Sequence, residues 1–357
     1  MSTRVYALPV EQTRWDVSSG STTVFNWEYD EGREKLLGLY EKGKARQWNS
    51  RERLDWAIPV DPDDPLGTPD AYVPIFASPI WERLDRPMIG TVKRHLASWQ
   101  WSQFLHGEQG ALICAAKIVQ TVPDIDSKFY AATQVVDEAR HVETYSRFLQ
   151  EKIGLAYPIN PYLRSLLDDV IRDQRWDMTY LGMQVLIEGL ALAAFGLIRD
   201  VAENPLASAV NAYVMQDESR HVAFGRLALR DYYRELTDKE RDDREQFCVE
   251  ACYLMRDRFL AEELWDNLGL GAEECVSFVR DSELQLQFRS LLFTRIVPTL
   301  RDIGLFGERI RKAFGDMGVI GYAETDLDQL SSQDEQIAEQ IDARRQQVES
   351  VIAAGVS

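Results

Sequence analysis

Val135-Val136-Asp137-Glu138-Ala139-Arg140-His141-Val142 and Met215-Gln216-Asp217-Glu218-Ser219-Arg220-His221-Val222 decide the fold of this chain. Each holds a glutamate followed three residues later by a histidine, and positions i and i+3 are neighbours on one helix face. Glu138 with His141, and Glu218 with His221, can thus each hold one ion. Another glutamate lies 30 residues upstream of each, Glu108 before Glu138 and Glu188 before Glu218. Thirty residues allow most of a helix, a turn and most of an antiparallel return, which brings each pair level. Four carboxylates and two imidazoles in this pattern predict a dinuclear metal site inside a four-helix bundle.

The surrounding sequence supports that reading independently. Glu188 sits in Leu186-Ile187-Glu188-Gly189-Leu190-Ala191-Leu192-Ala193-Ala194-Phe195. An ionised carboxylate there is very costly unless a cation neutralises it. Four such groups ask for four positive charges, which two divalent ions supply. Oxygen with imidazole nitrogen suits iron or manganese better than thiolate-preferring metals. The chain has four histidines, His95, His106, His141 and His221, and two fall on the motifs. A single Glu-x-x-His on a helix is more often a surface pair; two copies with the same flanking Asp and Arg and the same upstream Glu are not a chance pattern. Metal-bound histidines usually donate their second N–H to a carboxylate. Asp137 and Asp217 are placed to do this, each for the histidine of the other half. Arg140 and Arg220 either orient those aspartates or form surface ion pairs.

The halves superpose with a shift of 80 residues: Ala111 falls on Ala191, Leu112 on Leu192, Ile118 on Ile198 and Ala132 on Ala212. A duplicated helix pair explains this. Residues 1–85 hold seven prolines and five tryptophans. They read as an irregular segment packed on the core, with one short helix near Glu31–Trp48. Residues 86–357 read as one helical domain, with the bundle at about 90–235. Pro123 ends the Glu108 helix, and Asp126 or Ser127 caps the next. Pro158 and Pro161 break the chain, a long helical stretch follows, and Asn204-Pro205 opens the His221 helix. Further helices are expected at about 237–266, 271–296, 298–315 and 333–353. No strand pattern is sustained, so the class is all-α.

Of 357 residues, 45% are hydrophobic and 27% charged, ordinary values for a globular protein. The net charge of −18 argues against nucleic-acid binding. The sequence has no evident run of about 18 uncharged apolar residues and no secretory h-region, so no membrane span is expected and cytoplasm is the default. The four cysteines form no CxxC pair and read as buried thiols.

The EX(29)EXXH repeat, with DEARH and DESRH, resembles the ferritin-like diiron-carboxylate superfamily over about residues 90–235. The DE-x-RH form is most similar to the hydroxylase subunits of bacterial multicomponent monooxygenases and to the ribonucleotide reductase small subunit. The resemblance implies a ferritin-like bundle holding two irons, Fe/Fe or Mn/Fe. It places Glu108, Glu138 and His141 on one, Glu188, Glu218 and His221 on the other, and Glu138 and Glu218 between them. It implies O2 activation. The hydroxylases carry a Thr where this chain has Leu192. Tyr145 falls where the reductase has its radical tyrosine, and is either redox-active or an ordinary tyrosine packed behind the ligands. Arylamine N-oxygenases of the superfamily add a third histidine one turn before the last ExxH; Val214 stands there, which counts against that subgroup.

The expected function is therefore a diiron oxygenase or oxidase acting on a small apolar or aromatic substrate. A tyrosyl-radical-generating subunit and a ferroxidase are the alternatives. Ala111, Leu112, Ala115, Gly189, Leu192, Ala193, Phe195 and Gly196 lie within two turns of a ligand glutamate and either line an apolar pocket or simply pack. No flavin or nicotinamide fingerprint is present, so electrons come from an external reductase or ferredoxin. A homodimer is the expected assembly.

Overall fold

The computed structural model describes residues 4–29 and 32–355. Among these the secondary structure is helical, with one isolated bridge, between Tyr6 and Ala156. The principal helices are α1 (Glu34–Ala45), α2 (Arg86–Thr121), α3 (Ile125–Phe148), α4 (Pro161–Arg172), α5 (Trp176–Val201), α6 (Pro205–Tyr232), α7 (Asp238–Asp257) and α8 (Leu327–Gly355). Helices α2 and α3 form one antiparallel pair, α5 and α6 the other.

Caps define where the bundle helices start. The Asp85 carboxylate accepts the Met88 N–H at 2.9 Å, with Pro87 in the first turn of α2. Asn204 accepts the N–H groups of Leu206 and Ala207 ahead of Pro205, opening α6. For α3 the cap is Asp124, which accepts from Ser127 N–H at 2.8 Å, rather than Asp126 or Ser127. Asp126 is engaged elsewhere: it accepts the Arg33 backbone N–H at 2.8 Å and so ties the N-terminal segment to the start of α3.

Helix α5 is long and apolar enough to span a membrane, but 78% of its most apolar window is buried within the protein. It is the core helix of the bundle and carries Glu188 at its midpoint. It is not uniform. Residues Leu181–Ile187 form a π-helical segment that ends at Glu188, and α3 likewise runs into a π turn at Leu149–Ile153. Such widenings concentrate at functional sites because they shift the helix phase. Two glycines let neighbours press on this stretch. A Cβ at Gly182 would lie 2.3 Å from Val170 of α4, and one at Gly225 would lie 2.6 Å from the Gln184 Cβ. The Gln184 Cβ is fixed to its backbone, so α5 and α6 would have to part. Gly225→Ala is therefore expected to destabilise the protein by about 1–3 kcal/mol, read as a lowered thermal midpoint; an unchanged midpoint would refute the close approach.

Outside the bundle, the helices expected at 237–266, 271–296 and 298–315 are each divided. Ala261 in the left-handed region (φ 51°) separates α7 from the helix Glu262–Asn267. Arg289 donates to the carbonyls of Val279 and Arg280, holding the end of Ala272–Asp281 against Glu283–Leu291. Gly304 at φ 86° lies in the break between Ile296–Asp302 and Glu308–Asp316. Helix α8 packs along α6, where Tyr213 donates to Asp342 at 2.8 Å. In the N-terminal segment, Glu31 lies outside the described residues, and α1 stops at Ala45, which frees Gln47 and Trp48 to turn inward. All four cysteines are free and buried.

Candidate metal centre

The six side chains singled out by the sequence meet in the bundle interior. Glu108 comes from α2, Glu138 and His141 from α3, Glu188 from α5, and Glu218 and His221 from α6. Two groups result: Glu108, Glu138, His141 and Glu218; and Glu138, Glu188, Glu218 and His221. Within each, one ligand atom per residue lies within 4.8 Å of the others, and all are buried. Glu138 and Glu218 belong to both. His141 Nδ1 lies 3.3 Å from Glu108, 3.3 Å from Glu138 and 3.1 Å from Glu218. His221 Nδ1 lies 3.1 Å from Glu138 and 3.4 Å from Glu218.

The opposite ring nitrogens face outward, and they cross. His141 Nε2 is 3.1 Å from Asp217 Oδ2, and His221 Nε2 is 3.2 Å from Asp137 Oδ2. Each aspartate thus meets the histidine of the other half and leaves Nδ1 free for an ion. Arg140 donates to Asp137 and, at 2.8 Å, to Asp217; Arg220 donates to Asp217. These arginines are buried partners of the aspartates, not surface ion pairs.

Three further residues complete this shell and had no motif to mark them. Trp48 Nε1 donates to Asp217 at 2.8 Å, and Gln47 Nε2 donates to Asp137 at 2.7 Å, so the segment after α1 seals the outer side. Gln134, one turn before Glu138, donates at 2.9 Å to both Glu138 and Glu188. A helix-period scan would place Gln134 on the ligand face. Nothing local marks Gln47 or Trp48.

Charge and burial explain why these groups need an ion. Glu138 Oε2, Glu188 Oε2, both oxygens of Glu218 and Nδ1 of His221 are buried with no hydrogen-bond partner. Native structures leave few such atoms unless a metal takes them. Burial raises Glu108 and Glu188 well above the usual carboxylate range, and the nearby Glu218 adds to it. Burial also opposes ionisation of Glu138, but His221 and His141 outweigh it and hold that group low. For His141, burial is outweighed by Asp217 and the surrounding glutamates, which raise it well above its ordinary value. The donor set of unpaired carboxylate oxygens and inward imidazole nitrogens fits two hard-to-borderline divalent ions. Asp217→Asn keeps the shape but weakens the bond that orients His141. Metal affinity is expected to fall about 10–100-fold, measured by competition with a chelator; an unchanged affinity would remove Asp217 from this role.

Tyr145 is fully buried against Trp101, Phe104 and Phe195, with its hydroxyl 3.4 Å from Asn211 Oδ1. Burial, then the charges of Glu108 and Glu218, push its phenol well above the ordinary range. Of the residues expected to line a pocket, Ala111 and Phe195 border a small cavity of about 20 Å³ beside Glu108, Glu188 and Glu218. Leu192, Ala115, Ala193 and Gly196 are buried in helix packing instead. The cavity wall is completed by residues from α2, α4 and the π segment, and by Arg258 after α7. A second cavity of about 20 Å³ shares Gln103, Phe104 and Arg258 with the first. It in turn shares Trp99, Ile198, Phe259 and Phe288 with an apolar cavity of about 170 Å³.

Comparison with known proteins adds the following. The family model described as P-aminobenzoate N-oxygenase AurF matches residues 30–304. No curated protein sequence matches. Among solved structures, a mutant R2-like ligand-binding oxidase with anaerobically reconstituted Mn/Fe cofactor is 17% identical, covers 79% of this chain and 96% of its own, and has a TM-score of 0.50. The dimanganese(II)-NrdF of Streptococcus sanguinis is 12% identical over 84% of this chain and 99% of its own, with a TM-score of 0.47. At such identity the likeness to the oxidase concerns the fold, a ferritin-like helical bundle. The family match overturns the exclusion read from Val214. That residue is fully buried one turn before Glu218. Its counterpart under the 80-residue shift is Gln134, so the two halves differ here: one presents an amide to the carboxylates, the other a branched alkyl group.

Proposed function

The chain belongs to the AurF family of oxygenases, and from that premise we propose how this O2-dependent diiron oxidoreductase divides its work among its residues. Glu108, Glu138 and His141 would hold one iron and Glu188, Glu218 and His221 the other, with Glu138 and Glu218 placed to serve both. The shared membership of those two glutamates in both four-residue groups supports this assignment. When bound, the reduced iron pair supplies electrons to O2 and oxidising power toward substrate. The residues around it do the rest. Asp137 and Asp217 hold the histidines in one tautomer. Arg140, Arg220, Gln47 and Trp48 fix those aspartates. Gln134 holds Glu138 and Glu188 in register, and buried apolar side chains exclude water.

The substrate is a small organic molecule. The observation that carries an oxygenase over a radical-generating subunit or a ferroxidase is the series of adjoining cavities ending at Glu108, Glu188 and Glu218. A radical subunit needs no substrate path to its irons, and a ferroxidase needs a polar one. The outermost cavity is walled mainly by apolar side chains such as Leu66, Leu96, Ile198 and Phe288. Electrons reach the irons from an external reductase or ferredoxin. The test is aerobic mixing of ferrous iron with the metal-free protein. Uptake is expected to stop at two irons per chain, with O2 consumed and no tyrosyl signal in the electron paramagnetic resonance spectrum. Uptake of many irons would favour a ferroxidase, and a sharp tyrosyl signal would favour a radical centre on Tyr145.

A further inference from the structure

His221 stands at the head of a line of aromatic rings that ends at the protein surface. Tyr130 of α3 meets its imidazole with ring centroids 6.5 Å apart. Phe224 of α6 follows at 4.4 Å, Tyr180 of α5 at 5.0 Å and Trp176 at 5.8 Å. Tyr232 lies 4.8 Å beyond Trp176. At such spacings each ring touches the next. Tyr130, Phe224 and Tyr180 are fully buried, whereas Trp176 and Tyr232 are partly exposed. The duplicated bundle does not require this line. Under the 80-residue shift its five positions correspond to Val210, Thr144, Gln100, Leu96 and Lys152, none of them aromatic. The cluster of Trp101, Phe104, Tyr145, Phe148 and Phe195 on the Glu108 side is buried throughout. Trp48 is a second indole linked to the centre, through Asp217, but Arg140 at 4.8 Å and Arg53 at 5.6 Å stand over its ring. Two cations there oppose a further positive charge on that indole.

We propose that this line of rings is an escape route for oxidising equivalents: when O2 has oxidised the iron pair and no substrate is bound, the centre draws an electron from Trp176 instead of from its own surroundings. This rests on the oxygenase reading above and goes beyond it. The chemistry of the rings decides where the electron is lost. A phenol that gives up an electron must also give up its proton, and neither Tyr130 nor Tyr180 has a hydrogen-bonded base to take it. Those two rings and Phe224 therefore conduct without holding the charge. An indole holds the charge before its N–H ionises, and Trp176 has solvent beside it to accept that proton. The step balances. One electron passes from the Trp176 indole to the irons, and the N–H proton goes to water. The neutral indolyl radical then takes one hydrogen atom from a small thiol, which restores the indole. Without a thiol the radical combines with O2, and oxygen is fixed on the ring.

The experiment is aerobic loading of the metal-free protein with ferrous iron, without substrate or thiol, followed by peptide mass spectrometry. Iron content and O2 consumption are measured on every sample. Wild-type protein is expected to gain oxygen at Trp176. Phe224→Leu interrupts the line, and is expected to lose that product and to gain oxygen at Trp101 or Tyr145 instead. A Trp176→Phe/Tyr232→Phe double variant changes only partly exposed positions, and is expected to show the same inward shift. Glu218→Ala, given the same iron in solution, is expected to leave Trp176 unmodified. O2 consumed by bound iron with Trp176 untouched in wild type, or with the oxygen on Trp48 in its place, overturns this proposal alone. Equal modification of Trp176 in Phe224→Leu overturns it as well, and so does equal modification in Glu218→Ala, which would mark the product as solution chemistry. Failure of wild-type protein to bind iron or to consume O2 overturns the oxygenase reading and this proposal with it.

Discussion

Glu218→Ala is expected to take iron content from two ions per chain to none. Glu218 is one of two residues common to both groups of converging side chains, and neither of its oxygens has a hydrogen-bond partner. On the proposed assignment its loss would strip each ion of a ligand and remove a negative charge from between two cations. Glu108→Ala, by contrast, touches only the His141 group, and is expected to retain the ion on the His221 side. Loss of metal must be separated from loss of fold. In metal-free protein, Glu218 raises the proton affinity of both Glu108 and Glu188, a sign of repulsion among buried like charges. Removing it relieves that repulsion but also takes away the charge that favours protonated His221 and His141. The two effects oppose each other, so metal-free Glu218→Ala should melt close to metal-free wild type. Elemental analysis and a thermal melt on each protein decide the matter: two irons retained in Glu218→Ala would remove the bridging role, and a collapsed melt would mean that the side chain is structural.

The second large effect is a pH-dependent stabilisation by iron. Glu108, Glu188, His141 and His221 all have their proton affinities raised in the folded, metal-free protein, the glutamates from 4.5 and the histidines from 6.5. Between those ordinary values and the raised ones, the folded chain holds protons that the unfolded chain has released. The histidine contribution is thus fully present below 6.5 and lost as pH rises through the raised values. The glutamates change stability in the same direction above 4.5. Glu138 and Asp217 shift the other way, and their contribution is lost only in acid, below 4.5 and 3.8. From pH 6.5 upward, metal-free protein should therefore become less stable. Iron must displace the retained protons, so its apparent affinity should rise over the same range, by about 10-fold or more between pH 6.5 and 8.5. At free metal about 1,000 times Kd the gain is about 4 kcal/mol. Melts with and without ferrous iron at both pH values check this; a gap that is flat or shrinks with rising pH contradicts it.

Both effects depend on residues legible in the sequence, because the two motifs are helical, local and duplicated. Spacing along a helix fixes which side chains share a face, so Glu138 with His141 and Glu218 with His221 follow from the chain alone. The crossing of Asp137 and Asp217 to the opposite histidines follows from the twofold repeat. What periodicity does not carry is everything set by long-range packing. The π segment Leu181–Ile187 has a sequence indistinguishable from an apolar α-helix, and it lies where α4 and α6 approach closely at Gly182 and Gly225. Trp48 and Gln47 reach the site because α1 ends at Ala45, a boundary with no glycine or proline to announce it. The pocket reading failed for Leu192 and Gly196 because both pack within the bundle. The cavities lie instead between α2, the end of α5 and the segment beyond α7, which are distant in sequence. Arg258 belongs to that distant segment and resembles any other arginine until its burial is seen. Val214 misled as a marker of subgroup because a family can retain its bundle while one position beside the carboxylates changes.

Anomalous scattering at the iron edge, from crystals of iron-loaded protein, tests the central claim most directly. Two peaks are predicted about 3.5–4 Å apart, one on Nδ1 of His141 and one on Nδ1 of His221, with Glu138 and Glu218 between them. A single peak, or iron bound away from these six side chains, would contradict it.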